Sequence, residues 1–335
     1  MKRIILDTDI GTDVDDALAL ALAVASPELI IEGVTTVHAD APLRARIARR
    51  LLALAGRTDV LVTPGASLPL ASPLPSTFHW HPRLWGHEGQ GLLEAADLAP
   101  TEDLAADADW AARFIVERAA VYPGDLSLIT IGPLTNIARA LRLEPRLADW
   151  IRDVTVMGGM VAPERVPWPP VLETNLNADP AAAEIVFASR LPLTLVPFEV
   201  TTQVFLTPEQ RASLRHERRP LLDALVLLME RMLERFASFS ADMALPVDPF
   251  AESRTYMHDP LAVYAAMDKR HVTLQEQHVR LEVRGDVLRT ISYPDRSPTM
   301  RVCVAVDAAA FVSLWLDRVR NLTLSSRFES TEKPI

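Results

Sequence analysis

Residues 4–25 read IILDTDIGTDVDDALALALAVA: a short apolar run, then ten residues carrying five aspartates, then a small-and-large apolar repeat. A continuous apolar run of this kind suits a strand buried on both faces. The aspartates therefore sit at the mouth of that strand, with Asp15 and Asp16 where the first turn of a helix begins, a position the helix dipole favours for acids. That placement accounts for two of the five and leaves Asp7, Asp9 and Asp13 to be explained. Carboxylates this close repel one another unless a cation or a substrate lies among them.

Working outward, the same alternation recurs. RIIL (3–6), LIIEGVTTV (29–37), VLVT (60–63), LSLITI (126–131), DVTVMGG (153–159) and LPLTLVPF (191–198) are short apolar runs rich in Val, Ile and Thr. Helical stretches lie between them, at 44–55, 108–121, 136–143 and 181–189. Apolar strands separated by helices predict an α/β fold: a single-domain, open, mostly parallel sheet with helices on both faces. Such sheets bind ligands outside the carboxyl ends of their strands. The acidic cluster, VHAD (37–40), IGPLTN (131–136) and MGG (157–159) each follow a strand, so all four are expected on one rim.

Three segments depart from the pattern. Residues 64–91 form a long connection containing Phe78, His79, Trp80, His81, Trp85 and His87, and loops of that length are commonly functional. APERVPWPP (162–170) is too rich in proline for regular structure and reads as a lid. Residues 221–236 are strongly apolar and helical, as expected of a core or subunit-interface helix. No inter-domain linker is visible; the domain is expected to span 1–325, with a tail at 326–335.

The bulk properties narrow the partners. The chain has 335 residues, 49% hydrophobic and 23% charged, with a formal charge of −10 and a pI near 5.3. That balance argues against nucleic acid or an anionic membrane as the main partner. Its one cysteine, Cys303, lies in the strand-like MRVCVAV and reads as core packing. A single cysteine and the lack of a signal-like segment point to the cytoplasm.

The acidic cluster admits several readings. An EF-hand loop fails, because its sixth position is Thr12 rather than Gly and its twelfth Leu18 rather than Glu. A haloacid dehalogenase-type phosphatase also begins with strand-Asp-x-Asp, but it wants Thr or Val where Gly11 stands, and a lysine. A calcium site holding a sugar diol fits better, since a hard cation takes carboxylate, carbonyl and hydroxyl oxygens together.

Six segments together resemble the inosine/uridine-preferring nucleoside hydrolase family. DTDIGTDVDDALAL resembles its opening signature, with the two extra residues found in some members. VTTVHAD, IGPLTNIA, VMGG, ETNLNADPAAAEIVF and MHDPLAV follow in the family's order, from Ile4 to about Asp268. The resemblance implies the Rossmann-like nucleoside hydrolase fold, a bound Ca²⁺, a homodimer or homotetramer, and hydrolysis of N-ribosidic bonds.

By the same resemblance, Asp9 is the aspartate that both binds calcium and takes a proton from the attacking water. Asp16 and Asp259 are further calcium ligands, with the main-chain oxygen of Ile131. Asp15 holds the ribose hydroxyls, Glu173 and Asn175 grip the sugar, and Met157 packs near it. His258 stands by the leaving base. The chemistry suits these residue types: breaking a C1′–N bond builds positive charge on the sugar, so proton-free acceptors must surround it. Two positions depart from the pattern. Asp40 stands where many members have Asn, and Trp85 where many have a base-side His. The expected enzyme is a calcium-dependent nucleoside N-ribohydrolase acting on a small nucleoside. A noncatalytic ribose-binding protein on the same scaffold is the alternative.

Overall fold

A computed structural model of the chain describes residues 1–71, 86–104, 107–166, 173–243, 253–285, 287–297 and 299–322. The first half contributes strands β1 (Lys2–Thr8), β2 (Leu29–Thr36), β3 (Val62–Pro64), β4 (Leu126–Thr130), β5 (Ile151–Met157) and β6 (Leu193–Val196). Further on come β7 (Phe205–Leu206), β8 (Thr255–Tyr256), β9 (Val272–Gln277), β10 (Val279–Arg284), β11 (Val287–Ser292) and β12 (Met300–Val306). The helices of the first half are α1 (Asp15–Val24), α2 (Ala41–Leu54), α3 (Trp110–Val121), α4 (Thr135–Leu143), α5 (Leu147–Trp150), α6 (Thr174–Ala178) and α7 (Pro180–Phe187). They are followed by α8 (Phe198–Thr201), α9 (Pro208–Leu214), α10 (Pro220–Met243), α11 (His258–Met267) and α12 (Ala308–Arg320).

Eight strands make one sheet in the order β3-β2-β1-β4-β5-β6-β12-β9, parallel throughout except for β9. The chain runs outward from β1 to β3, then returns to place β4 on the other side of β1. The switch point thus falls between β1 and β4, where an open parallel sheet presents its ligand crevice. The acidic segment leaves β1 at that crevice.

Side chains alternate across the sheet, and two cores result. Ile4 and Leu6 face a layer with α1, α2, α10, α11 and α12, while Ile5 faces α3, α4 and α7. The apolar run of α10 is core, with Leu222, Leu225, Val226 and Met229 buried. Trp315 of α12 donates its indole N–H to the Leu18 carbonyl at 3.1 Å, locking the last helix onto α1. Cys303 is fully buried, and burial pushes its thiol up to about 12, as core packing requires.

Some boundaries moved for local reasons. Helix α2 begins at Ala41 rather than 44, because the Asp40 side chain accepts from Leu43 N at 2.9 Å and Pro42 sits in the first turn. The antiparallel hairpin β10–β11 was not anticipated. Of the proline-rich segment, residues 163–165 form one 3₁₀ turn and 167–170 lie outside the described residues. The expected tail at 326–335 lies outside them too, as do Phe78, His79, Trp80, His81 and Trp85.

Candidate active site

The aspartates of the opening segment divide by depth. Asp7 is still within β1 and fully buried, accepting from Thr35 Oγ1 at 2.5 Å and Asn136 Nδ2 at 2.7 Å. Asn136 also donates to the Thr36 carbonyl at 3.0 Å and accepts from Ala66 N at 2.9 Å, so this pair stitches three strand ends together beneath the rim. Asp13 turns back on its own loop, accepting from Val14 N at 2.7 Å.

Asp15 and Asp16 occupy the first turn of α1, and Asp259 the first turn of α11, which packs against α1. Carboxylate oxygens of these three buried residues lie within 4.8 Å of one another, a spacing that can hold a metal ion. Asp15 Oδ2 accepts from Asp259 N at 3.3 Å, and Asp16 accepts from the Thr8 hydroxyl. Burial and mutual repulsion hold all three carboxyls well above the ordinary range. A cation relieves both costs at once. The donors are all oxygens, which suits a hard cation rather than zinc.

Asp9 lies outside this triad and, unlike its three members, keeps an accessible edge. Burial of its surroundings raises its carboxyl, and the Arg44 guanidinium opposes that rise. Its Oδ1 lies 2.8 Å from where a Cβ on Gly132 would stand, so only glycine leaves room there. We expect Gly132→Ala to reduce kcat by at least about tenfold by pushing Asp9 aside, a displacement of the kind that costs more when complete. Steady-state kinetics on folded protein reads this directly, and unchanged kcat would remove Asp9 from the reaction.

The other sequence-predicted residues gather nearby. The Asn175 amide donates to the carbonyls of Ile131 and Met157, both at 3.2 Å, tying the ends of β4 and β5 together. Glu173 caps α6, accepting from Asn175 N at 2.6 Å and Leu176 N at 3.0 Å, and burial pushes its carboxyl up to about 7. The Gly159 N–H donates to this carboxylate as well, which leaves one lone pair for a sugar hydroxyl. The His258 ring is stacked between Phe198 (5.0 Å) and Tyr256 (5.5 Å), with Nδ1 2.7 Å from Thr201 Oγ1. Burial pushes its pKa down to about 4.

Asp40 is engaged elsewhere. Besides capping α2, its carboxylate accepts from Thr101 N at 2.9 Å and Thr101 Oγ1 at 2.7 Å. Three residues that sequence reasoning passed over join the site's support: Asn136, Thr201 and Arg44. Asn136 was visible within IGPLTN, whereas Arg44 belongs to RARIARR, which reads as an exposed basic face.

A family model described as inosine-uridine preferring nucleoside hydrolase matches residues 4–313. A probable uridine nucleosidase 2 of Arabidopsis thaliana is 29% identical, over 95% of this chain and 97% of its own. The pyrimidine-specific ribonucleoside hydrolase RihA of Escherichia coli is 30% identical, over 95% and 98%. Among solved structures, a purine-preferring ribonucleoside hydrolase from Gardnerella vaginalis aligns with a TM-score of 0.79 at 29% identity. That alignment covers 96% of this chain and 99% of the other.

Proposed function

Because the chain belongs to the inosine-uridine preferring nucleoside hydrolase family, enzymes that act on N-glycosidic bonds, we propose that it splits ribonucleosides into free base and ribose with calcium held at this rim. The observation that carries the reading is the buried Asp15–Asp16–Asp259 triad at the sheet's switch point, with Asp9 at its accessible edge. Asp9, Asp16, Asp259 and the Ile131 carbonyl are the proposed ligands. When bound, calcium supplies a Lewis acid that orients water and the ribose hydroxyls. Asp9 takes the proton from the attacking water, and Asp15 accepts from the ribose 2′- and 3′-hydroxyls. Glu173 and Asn175 grip the sugar, Met157 packs near it, and His258 stands by the leaving base. Together these acceptors favour the positive charge that develops as the C1′–N bond breaks.

Relatives named pyrimidine-specific and purine-preferring match at 30% and 29% identity, so base choice resides in side chains around the base rather than in the fold. Trp85 is proposed among those side chains. The Asp40 carboxylate, which caps α2 and accepts from Thr101, keeps one lone pair on Oδ2 for a substrate hydroxyl. No helix among the described residues is long and apolar enough to cross a membrane. We read the enzyme as a cytoplasmic homodimer or homotetramer, and light scattering measures the assembly.

The test pairs product release with metal. Ribose and free base should appear together from a nucleoside panel, and thorough chelation should abolish both until calcium is restored. Activity that survives chelation would overturn the metal assignment, and phosphate release from phosphorylated sugars would overturn the reaction class.

A pH prediction follows from the raised carboxyls. In the metal-free fold Asp15, Asp16 and Asp259 hold protons above the ordinary carboxylate value near 4, so folded protein binds more protons than unfolded protein. Their contribution to stability is therefore present at low pH and lost as pH rises through the raised range. Calcium displaces those protons, so its binding strengthens over the same range. The calcium-induced rise in Tm should grow between pH 5 and pH 8, measured by calorimetry; a constant increment would count against the triad as the site.

A further inference from the structure

The loop at residues 9–14 carries Asp9 at its start and leads into Asp15 and Asp16 at the head of α1. One buried cation fastens it. Arg44 on α2 is only 2% exposed. Its Nη1 donates to the Asp9 carbonyl and, at 3.0 Å, to the Ile10 carbonyl. Nη2 donates to Thr12 Oγ1 at 3.1 Å, and Nε to the His38 carbonyl at 2.8 Å. A planar guanidinium reaches acceptors spread this way, whereas an ammonium on a flexible stem is a single point.

The fork joins two adjacent strand-end loops. His38 and Ala39 follow β2 with φ of 72° and 53°, a left-handed conformation that needs outside support in residues other than glycine. His38 N donates to the Ala66 carbonyl at 2.7 Å, extending the tie to the loop after β3. Asp40 caps the helix that presents Arg44.

We propose that Arg44 is a positioning residue for hydrolysis: by gripping the Asp9 and Ile10 carbonyls it aims the Asp9 carboxylate at the rim. The inference rests on Asp9 acting as the base. Arg44 acts through Asp9, its guanidinium buried against the loop's own acceptors. Asp16 and Asp259 are carried by α1 and α11, so these proposed ligands stay in place when the fork is lost, while the aim of Asp9 does not.

The test is Arg44→Lys, which keeps the charge and loses the fork. The expected kcat falls about 100-fold, the scale of a misplacement near 1 Å. The fall should be equal for a natural ribonucleoside and for a nitrophenyl riboside, with KM little changed. The calcium-induced rise in Tm should weaken but persist, because Asp9 is one proposed ligand among several. Thr12→Val, which removes one bond of the set, should show the same pattern at smaller amplitude. In Arg44→Gly, added guanidinium ion should restore part of kcat.

Arg44→Lys with wild-type kcat would overturn the proposal. So would a variant that loses the calcium response altogether along with kcat, since Arg44 would then merely hold the fold. A wild-type enzyme that hydrolyses neither substrate while binding calcium would instead overturn Asp9 as base, and this inference with it.

Discussion

Asp9→Asn is expected to lose about 10⁴-fold in kcat on every nucleoside, the upper end for removal of a general base, while remaining folded. The amide has nearly the same size, so the Gly132 notch still accommodates it. It cannot take a proton from water, and calcium acidifies water too little to dispense with a base. The folded state should not suffer, because the triad of Asp15, Asp16 and Asp259 stands without Asp9. Removing one charge from a crowded acidic rim also lowers the mutual repulsion that raises those carboxyls. Far-UV circular dichroism and Tm should therefore match wild type, with the calcium response weaker but present. A loss of about 10⁴-fold corresponds to about 5.5 kcal/mol in the barrier. Near-normal turnover in this variant would sink the mechanism.

How far the sequence reveals this site depends on what each residue touches. The sheet was legible because its strands are continuous apolar runs, and such runs need cover on both faces. The convergence of Asp16 and Asp259 was legible only through motif order, since nothing local to MHDPLAV shows that α11 packs on α1. Asp40 shows the limit. An acid after a strand and before a helix suits both a sugar contact and a helix cap, and the cap and the bonds to Thr101 are visible only in three dimensions. Arg44 was illegible for another reason. In RARIARR the arginines at 49 and 50 are exposed, Arg46 is half-buried, and the fully buried Arg44 is marked only by helical phase. The hairpin β10–β11 was missed although VRLEVR alternates apolar and charged residues strictly, the pattern of a half-buried strand; its partner VLRTIS breaks the alternation, so no pair of matching strands stands out.

His258→Ala supplies the other large expected effect, and its interest lies in a contrast between substrates. The imidazole is held on both faces by Phe198 and Tyr256 and at Nδ1 by Thr201, so Nε2 is the edge left for chemistry. If that edge protonates the departing base, the variant should slow natural nucleosides by about 10²–10⁴-fold, as for general acids. A nitrophenyl riboside leaves as a stable anion and should slow far less. Loss of fold or of calcium would slow both alike, so equal losses would assign His258 to structure. The pH dependence sharpens the test. With its pKa pushed down to about 4, the wild-type ring is mostly neutral at pH 7, and the protonated fraction grows about tenfold for each unit of acidification. kcat on a natural nucleoside should then climb as pH falls from 7, until protonation of Asp9 removes the base. On the nitrophenyl riboside that climb should be absent, because only Asp9 is needed. In His258→Ala the natural nucleoside should lose its climb as well, leaving one descending limb that belongs to the carboxylate alone.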